Sequence, residues 1–319
     1  MFVDPERSYD LIGDVHGCAH TLTRLLEQLG YRHHGDVWRH PRRQVIFLGD
    51  IIDRGPRIRE ALHLVHAMVE AGQAHCIMGN HEFNALGWYT PAPPESGKTF
   101  VRDHTPRYAM LLQHTFEQFE HYSEEWSAFR EWFMTLPLYL ESERFRVVHA
   151  CWDNAVISQL RLRLSQGRVD LDFLRDAAFS QGFAAKALDR LLRGTDMPLP
   201  EGLTLTSAEG FTRSFFRTKF WEENPQTYGD IVFQPDGLPE KAARMPLSES
   251  QKNKLLLYGP DDPLLFVGHY WRSGTPAPIR PNLACLDYSA VKYGKLVAYR
   301  LDEETRLDPA KFVWVDVER

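Results

Sequence analysis

The sequence of 319 residues has few cysteines, no strong excess of charge and no long hydrophobic run. Its four cysteines lie far apart without a Cys-x-x-Cys pair, which argues against a disulfide scaffold and favours a reducing cytoplasm. A formal net charge of −6 gives no electrostatic reason to expect a nucleic-acid polymer or an anionic membrane as partner. We therefore expect a cytoplasmic globular protein, without a signal peptide or a transmembrane helix.

Short apolar runs that end in glycine and a polar residue recur along the chain. Runs of this length are typical of buried strands, and the glycine lets the chain turn sharply where the strand ends. They cover residues 9–14, 45–50, 76–80 and 264–269, with a variant lacking the glycine at 145–149. Leucine-rich helical patterns follow the first two runs, which predicts a largely parallel start to a sheet.

The sequence pattern changes after Asn80. Helices are predicted over residues 106–135 and 155–194, and irregular structure over 195–263, with a possible strand at 228–234. The tail returns to strands at 282–287, 295–300 and 312–317. These patterns predict an α/β fold of two packed β-sheets flanked by helices. We expect a single domain over 1–319, with a divergent insertion at 155–263 between the fourth and fifth ligand-bearing strands.

Polar residues at the ends of the predicted strands are candidate metal ligands. In α/β sheets, ligand sites form just beyond the carboxyl ends of the strands, so these groups converge if the strands are neighbours. Carboxylate, imidazole and amide oxygen suit Mn, Fe or Zn better than a metal that prefers thiolates. The six candidates are Asp14, His16, Asp50, Asn80, His149 and His269. Shared between two ions, six ligands leave open positions for water.

The charge of such a cluster favours an anionic substrate. Two divalent ions with Asp14, Asp50 and a bridging hydroxide carry about +1, and Arg54 adds a further positive charge. A phosphoryl group would be attracted to this site. Each motif alone is weak, because Asp-x-His can be a helix cap and a lone histidine is more often a core residue. The evidence is the combination, in which each polar group follows a strand.

These residues resemble the calcineurin-like metallophosphoesterases, and most closely the phosphoprotein phosphatase superfamily. The matching blocks are 13–17, 49–55, 79–82, 149–150 and 268–269, and the match is close only over residues 9–83. The resemblance implies a fold of two packed sheets and two divalent ions, with Mn preferred and Fe or Zn as alternatives. It also implies hydrolysis of a phosphate monoester, on a protein or a small molecule, by attack of a metal-bound hydroxide.

The resemblance further implies a role for each residue. His81 would be the general acid that protonates the leaving oxygen, with Asp53 orienting it, and Arg54 would bind the phosphoryl oxygens. Asn80 is expected to contact substrate as well as metal. Of the ligands, Asp14 and His16 would hold one ion, Asp50 would bridge both, and the second would be completed by Asn80, His149 and His269.

The chain departs from the eukaryotic pattern after residue 149. The block at 149–153 reads His-Ala-Cys-Trp-Asp, and a divergent stretch of about 120 residues precedes His269. The second phosphate-binding arginine of the family should lie in that stretch, where Arg193, Arg213 and Arg217 are candidates. The departures resemble a bacterial branch in which protein phosphatases and symmetrical dinucleoside tetraphosphate hydrolases share one core.

Three hypotheses follow. The first is a phosphomonoesterase acting on phosphoproteins or small phosphate esters. The second is a hydrolase of dinucleoside polyphosphates, a nucleotide substrate class. The third is a scaffold that kept the fold without catalysis, which the intact ligand set disfavours. Trp152 and Trp271 each follow a ligand histidine closely, so either could line the substrate pocket.

Overall fold

The computed structural model describes Met1 and residues 3–206, 210, 212–233 and 238–318. The chain divides into two compact units, one formed by Met1–Leu192 with Pro263–Arg319 and the other by Arg193–Asp262. The helices predicted over 155–194 belong almost entirely to the first unit. The separate unit is therefore shorter than the insertion predicted at 155–263, and the single-domain assignment stays a prediction.

The first unit contains two main sheets and a small hairpin. The larger sheet has the order β14-β15-β1-β4-β5, with β16 on β15, and β1, β4 and β5 run parallel. The other has the order β13-β12-β7-β6, and β12 runs parallel to both its neighbours. The strands of this unit are β1 (Ser8–Ile12), β2 (Arg32–His34), β3 (Val37–Arg39), β4 (Arg43–Phe47), β5 (Ala74–Cys76), β6 (Tyr139–Glu141), β7 (Phe145–Val148), β12 (Leu264–Val267), β13 (Leu283–Cys285), β14 (Asp287–Tyr288), β15 (Lys295–Leu301) and β16 (Phe312–Asp316).

The core of this unit lies between the two sheets. Leu11 and Ile46 from the larger sheet belong to the same buried cluster as Val147 and Phe266 from the smaller one. All four are fully buried. The apolar runs that were predicted to be strands therefore supply both faces of one core. The predicted fold class, two packed sheets flanked by helices, is confirmed.

The helices begin and end where local signals place them. Helix α1 buries Leu22, Leu25 and Leu26 on one face. The chain leaves it through Gly30, whose φ of 91° is readily adopted only by glycine. The helices are α1 (Ala19–Gln28), α2 (Ile58–Glu70), α3 (Asn80–Tyr89), α4 (Pro106–Phe119), α5 (Ser123–Phe133), α6 (Asn154–Arg163), α7 (Leu171–Asp176) and α8 (Phe183–Arg193). The region predicted as helix over 106–135 is thus a pair, α4 and α5.

The Arg193–Asp262 unit has a small core of its own, which includes Met197, Phe216 and Leu247. Its possible strand at 228–234 is wrong over the described residues 228–231, which form a short helix. Thr227 and Asp230 cap that helix reciprocally, and Val232, which follows it, forms an isolated β-bridge with Thr218. Residues 234–237 lie outside the described part. The unit contains β8 (Thr195–Pro198), β9 (Leu205–Thr206), β10 (Thr212–Arg213), β11 (Phe215–Thr218), α9 (Tyr228–Ile231), α10 (Glu240–Ala243) and α11 (Glu249–Lys252).

None of the helices in the described residues combines the length and the apolar character needed to cross a bilayer.

Candidate active site

The six predicted ligands meet at one edge of the paired sheets. Each follows a strand directly or within a few residues, and all six are at least nine-tenths buried. The strands that precede them are parallel neighbours within their sheets, so their carboxyl ends open on the same side. The ligands are Asp14 and His16 after β1, Asp50 after β4, Asn80 after β5, His149 after β7 and His269 after β12.

Asp50 lies at the centre of the cluster. Its Oδ2 is 3.7 Å from His16 Nε2 and 3.2 Å from His149 Nε2. Donor atoms of His16, Asp50 and His81 lie within 4.8 Å of one another, and so do those of Asp50, His149 and His269. Two groups of donors that share one carboxylate can hold a pair of cations with Asp50 as the bridge.

Asn80 and Asp14 join the same cluster. Asn80 Oδ1 is 3.0 Å from His149 Nε2 and 2.9 Å from His269 Nδ1. The backbone N–H of His269 donates to the Asp14 carboxylate at 3.2 Å, and His16 Nε2 is 4.0 Å from that carboxylate. The convergence expected from the sequence is therefore present for all six side chains, while their metal coordination stays a prediction.

Backbone carbonyls orient two of the imidazoles. His16 Nδ1 lies 2.8 Å from the carbonyl oxygen of Ile52, and His149 Nδ1 lies 2.6 Å from that of Leu48. An Nδ1–H that donates to a carbonyl leaves Nε2 as the ligand atom and fixes the ring direction. Burial, and then the His81 imidazole, lower the pKa of His16 to about 3, so its Nε2 is free of a proton at neutral pH.

Three carboxylates are buried together here, and the third was not predicted. Asp287, at the start of β14, interacts with Asp14. Burial and the neighbouring carboxylates raise the pKa of Asp14 well above its ordinary value, and burial raises that of Asp287 to about 6. Burial alone would also raise the pKa of Asp50, but His149 and His81 hold it below its usual range. A buried cluster this acidic fits bound cations.

Close packing explains the glycines of the motifs. A Cβ on Gly268 would lie 2.1 Å from Asp14 Oδ1, and one on Gly79 would lie 2.2 Å from Asp50 Oδ1. Gly79 also precedes α3, whose first turn presents the His81 N–H to Asp50 Oδ1 at 3.0 Å. Backbone N–H groups at a helix start stabilise a carboxylate, so the motif places Asp50 in a favourable field.

His81 and Asp53 form the predicted pair. His81 Nδ1 lies 2.6 Å from Asp53 Oδ2, and both side chains are buried. Asp53 is held in turn by Thr115 of α4, whose hydroxyl donates to Asp53 Oδ1 and accepts from the Asp53 N–H. Thr115 was not predicted, because no local pattern connects a helix 62 residues away to this site. His81 Nε2 is 3.9 Å from Asp50 Oδ2, so His81 also borders the cluster.

Glu82 holds the loop after β4 in place. Its buried carboxylate accepts hydrogen bonds from the backbone N–H groups of Asp50 and Ile51, both at 2.8 Å, and of Gly79 at 2.9 Å. A weaker bond from Ile52 measures 3.4 Å. The sequence motif includes Glu82 without indicating its role, and the structure makes it the residue that positions Asp50.

We expect Glu82→Gln to destabilise the protein by about 3 kcal/mol, because an amide cannot accept all the N–H bonds that the carboxylate accepts. Urea unfolding of the metal-free variant would measure this loss. Glu143→Gln is the matched control, since Glu143 is exposed. Equal midpoints for the two variants would contradict the positioning role.

Backbone strain is concentrated at the cluster. Eight non-glycine residues of the described chain have positive φ, and five of them are predicted site residues. Such conformations cost ~1–3 kcal/mol each and persist where the surrounding structure enforces them. They are His16, Asp50, Asp53, Arg54 and His269, with φ between 43° and 68°.

The predicted phosphate-binding arginines are in two places. Arg54 belongs to the strained loop after Asp53, and its guanidinium carbon lies 5.1 Å from the ring centroid of Trp271. Trp152, the other tryptophan considered, is buried and packs against Tyr139. Arg193, Arg213 and Arg217 belong to the Arg193–Asp262 unit, and their role in phosphate binding stays a prediction.

Known proteins share this chain's sequence pattern. The calcineurin-like phosphoesterase family model matches residues 9–200. A bis(5′-nucleosyl)-tetraphosphatase PrpE [asymmetrical] of Oceanobacillus iheyensis is 34% identical over 142 residues, which cover 44% of this chain and 54% of the relative. The Bacillus subtilis protein of the same name is 39% identical over 75 residues, or 23% of this chain and 31% of the relative. The matches thus span about half of these relatives or less.

A solved structure shares the fold. A serine/threonine protein phosphatase from Saccharomyces cerevisiae aligns with a TM-score of 0.52 and 14% identity, covering 99% of this chain and 81% of the other. At this identity the likeness concerns the fold alone. The family match over well more than half of the chain confirms the resemblance inferred from the motifs and, with it, the expectation of a hydrolytic enzyme. The chain belongs to the calcineurin-like phosphoesterase family.

Proposed function

We propose that this chain is a phosphoesterase that works with two divalent cations bridged by Asp50. The observation that carries the proposal is the position of Asp50 between buried donors on two sides, His16 on one side and His149 with His269 on the other. Asp14 and Asn80 complete the predicted ligand set. Mn is the preferred ion, with Fe or Zn as alternatives, because the donors are carboxylate, imidazole and amide oxygen.

Divalent cations in this position would lower the pKa of bound water and offset the charge of a phosphoryl group. The chain's own residues supply the other steps. Asp53, 2.6 Å from His81 Nδ1, accepts a hydrogen bond from that nitrogen and orients the imidazole with Nε2 directed away from it. That imidazole can release its Nε2 proton to the departing oxygen. Arg54 presents a planar guanidinium that binds phosphoryl oxygens in pairs.

Two substrate classes remain within this proposal. The motif blocks favour phosphate monoesters, on a phosphoprotein or a small molecule. The names of the relatives favour dinucleoside tetraphosphates, and they indicate asymmetrical cleavage where the sequence resemblance suggested the symmetrical type. A cytoplasmic location is also part of the proposal, and it is supported by four buried cysteines that form no disulfide.

The test is a panel of substrates offered to metal-depleted protein after addition of Mn, Fe or Zn. We expect hydrolysis of p-nitrophenyl phosphate to return with metal, and the bound ions to stabilise the fold by ~3 kcal/mol at a hundredfold excess over Kd. A phosphopeptide tests the monoester class. From diadenosine tetraphosphate, ATP with AMP marks asymmetrical cleavage and ADP alone marks symmetrical cleavage. No turnover of any substrate with any of the three metals would refute the proposal.

A further inference from the structure

Trp271 lies against two cationic side chains. The Arg54 guanidinium carbon is 5.1 Å from the ring centroid, and Lys292 Nζ is 3.6 Å from it. Trp271 is two residues beyond the ligand His269, and Lys292 ends a short turn that begins three residues after the buried Asp287. The two cations therefore belong to segments that leave the metal-ligand cluster directly.

Neither cation is neutralised within the described residues. No carboxylate there forms an ion pair with Arg54 or Lys292, and Arg54 Nε is buried without a hydrogen-bond acceptor. Two other cations of this unit are paired: Arg59 binds Glu125 at 2.7 Å, and Lys295 binds Asp316 at 3.2 Å. Unpaired cations beside a cluster for phosphoryl groups fit an anion better than a structural role.

The two charges also lie close to each other. Because both approach the same ring, they are within about one Debye length, ~10 Å at 0.1 M salt, and they repel each other unless an anion lies between them. The turn that carries Lys292 is held in a strained form, with Ser289 at a φ of 58° and Tyr293 at 57°. With these two, seven of the eight positive-φ residues lie in segments around the cluster.

A cavity adjoins Arg54. It encloses about 630 Å³, within the ~300–1,000 Å³ range of small-molecule sites. Arg54 lines one part of it, and the residues on either side of Lys292 line another. Its walls include His20, Arg57, His114, Val291 and Tyr293. The rest of a nucleotide could occupy this space once its phosphates are bound.

We propose that Lys292, held against Trp271 beside Arg54, binds a second phosphate adjacent to the reacting phosphate, whose oxygens Arg54 contacts. Lys292 then determines specificity, because it favours substrates with consecutive phosphates over simple monoesters. The inference rests on the proposed function, since it assigns the reacting phosphate to the metal-ligand cluster. It adds a residue that the sequence motifs did not indicate.

The experiment replaces Lys292 with methionine and compares two substrates with Mn present. For Lys292→Met we expect the KM for diadenosine tetraphosphate to rise about tenfold with kcat within twofold, because one charge-assisted phosphate contact is lost. The KM for p-nitrophenyl phosphate, which has no second phosphate, should not change. Lys295→Met is the matched control, since it removes the same charge from a lysine that already has a carboxylate partner, and it should leave both KM values unchanged.

Binding supplies a readout that needs no turnover. Calorimetry should show that methylenediphosphonate binds the wild-type protein at least tenfold more tightly than inorganic phosphate, and that Lys292→Met removes most of this preference. Equal KM changes on both substrates, no KM change, or an unaltered diphosphonate preference would each overturn the second-phosphate site. If the wild-type protein turns over neither substrate, the proposed function fails, and calorimetry alone still decides the role of Lys292.

Discussion

Asp50→Asn should abolish hydrolysis of every phosphate substrate, with a loss of about 10³-fold or more, equivalent to ~4 kcal/mol of activation free energy. The reason is geometric. Asp50 Oδ2 approaches both His16 and His149, so it is the side chain through which the two donor groups connect. An asparagine offers one neutral oxygen where a carboxylate offers two charged ones, so it binds cations more weakly and bridges them poorly.

The variant should also lose metal. We expect elemental analysis to find two ions per wild-type chain and one or fewer in Asp50→Asn. Asp176→Asn, which changes an exposed aspartate, should retain both the ions and the activity. An Asp50→Asn protein with two ions and activity near the wild-type level would remove the central assumption of the proposed mechanism.

His81→Ala should separate substrates by their leaving groups. We expect a loss of about 10²–10⁴-fold on an alkyl or serine phosphate, where the departing oxygen needs a proton. On p-nitrophenyl phosphate the loss should stay below about tenfold, because a nitrophenolate leaves without protonation. The comparison of kcat/KM for the two substrates measures this difference, and His121→Ala, at an exposed position, is the control.

The same variant distinguishes the general acid from a metal ligand. His81 Nε2 is 3.9 Å from Asp50 Oδ2, and His81 shares a donor group with His16 and Asp50. If His81 binds metal, His81→Ala will lose an ion and lower both activities by the same factor. A substrate-dependent loss at full metal content supports protonation by an imidazole that Asp53 orients.

The convergence of the six predicted ligands could be foreseen from the sequence because its signals are local. Each of the six ligands follows an apolar run that forms a strand, and parallel strands bring such positions to one edge. Asp287 also follows an apolar run, at 283–286, and so has the same signal of a polar residue at a strand end. The sequence predicts a strand there, but Asp287 is not among the candidate ligands. Thr115 has no such signal, because its place beside Asp53 depends on how α4 packs.

The region after residue 194 shows where periodicity and residue propensity fail to predict secondary structure. The pattern at 228–234 predicts a strand, but the Thr227–Asp230 capping box starts a helical turn over Tyr228–Ile231, and Val232 after it forms an isolated β-bridge with Thr218. Short elements are decided by such local hydrogen bonds, which periodicity does not detect. The contribution of Arg193, Arg213 or Arg217 depends on the placement of their whole unit, and spacing along the chain carries no information on that.

The pairing of β7 with β12 has a consequence for biosynthesis. His149 and His269 come from neighbouring strands that are separated by more than a hundred residues of chain. On a ribosome adding ~5–20 residues per second, His16, Asp50 and His81 are all made roughly ten to fifty seconds before His269. For that interval the nascent polypeptide lacks a donor of its second group, so the proposed pair of cations can be bound only after residue 269 has been made.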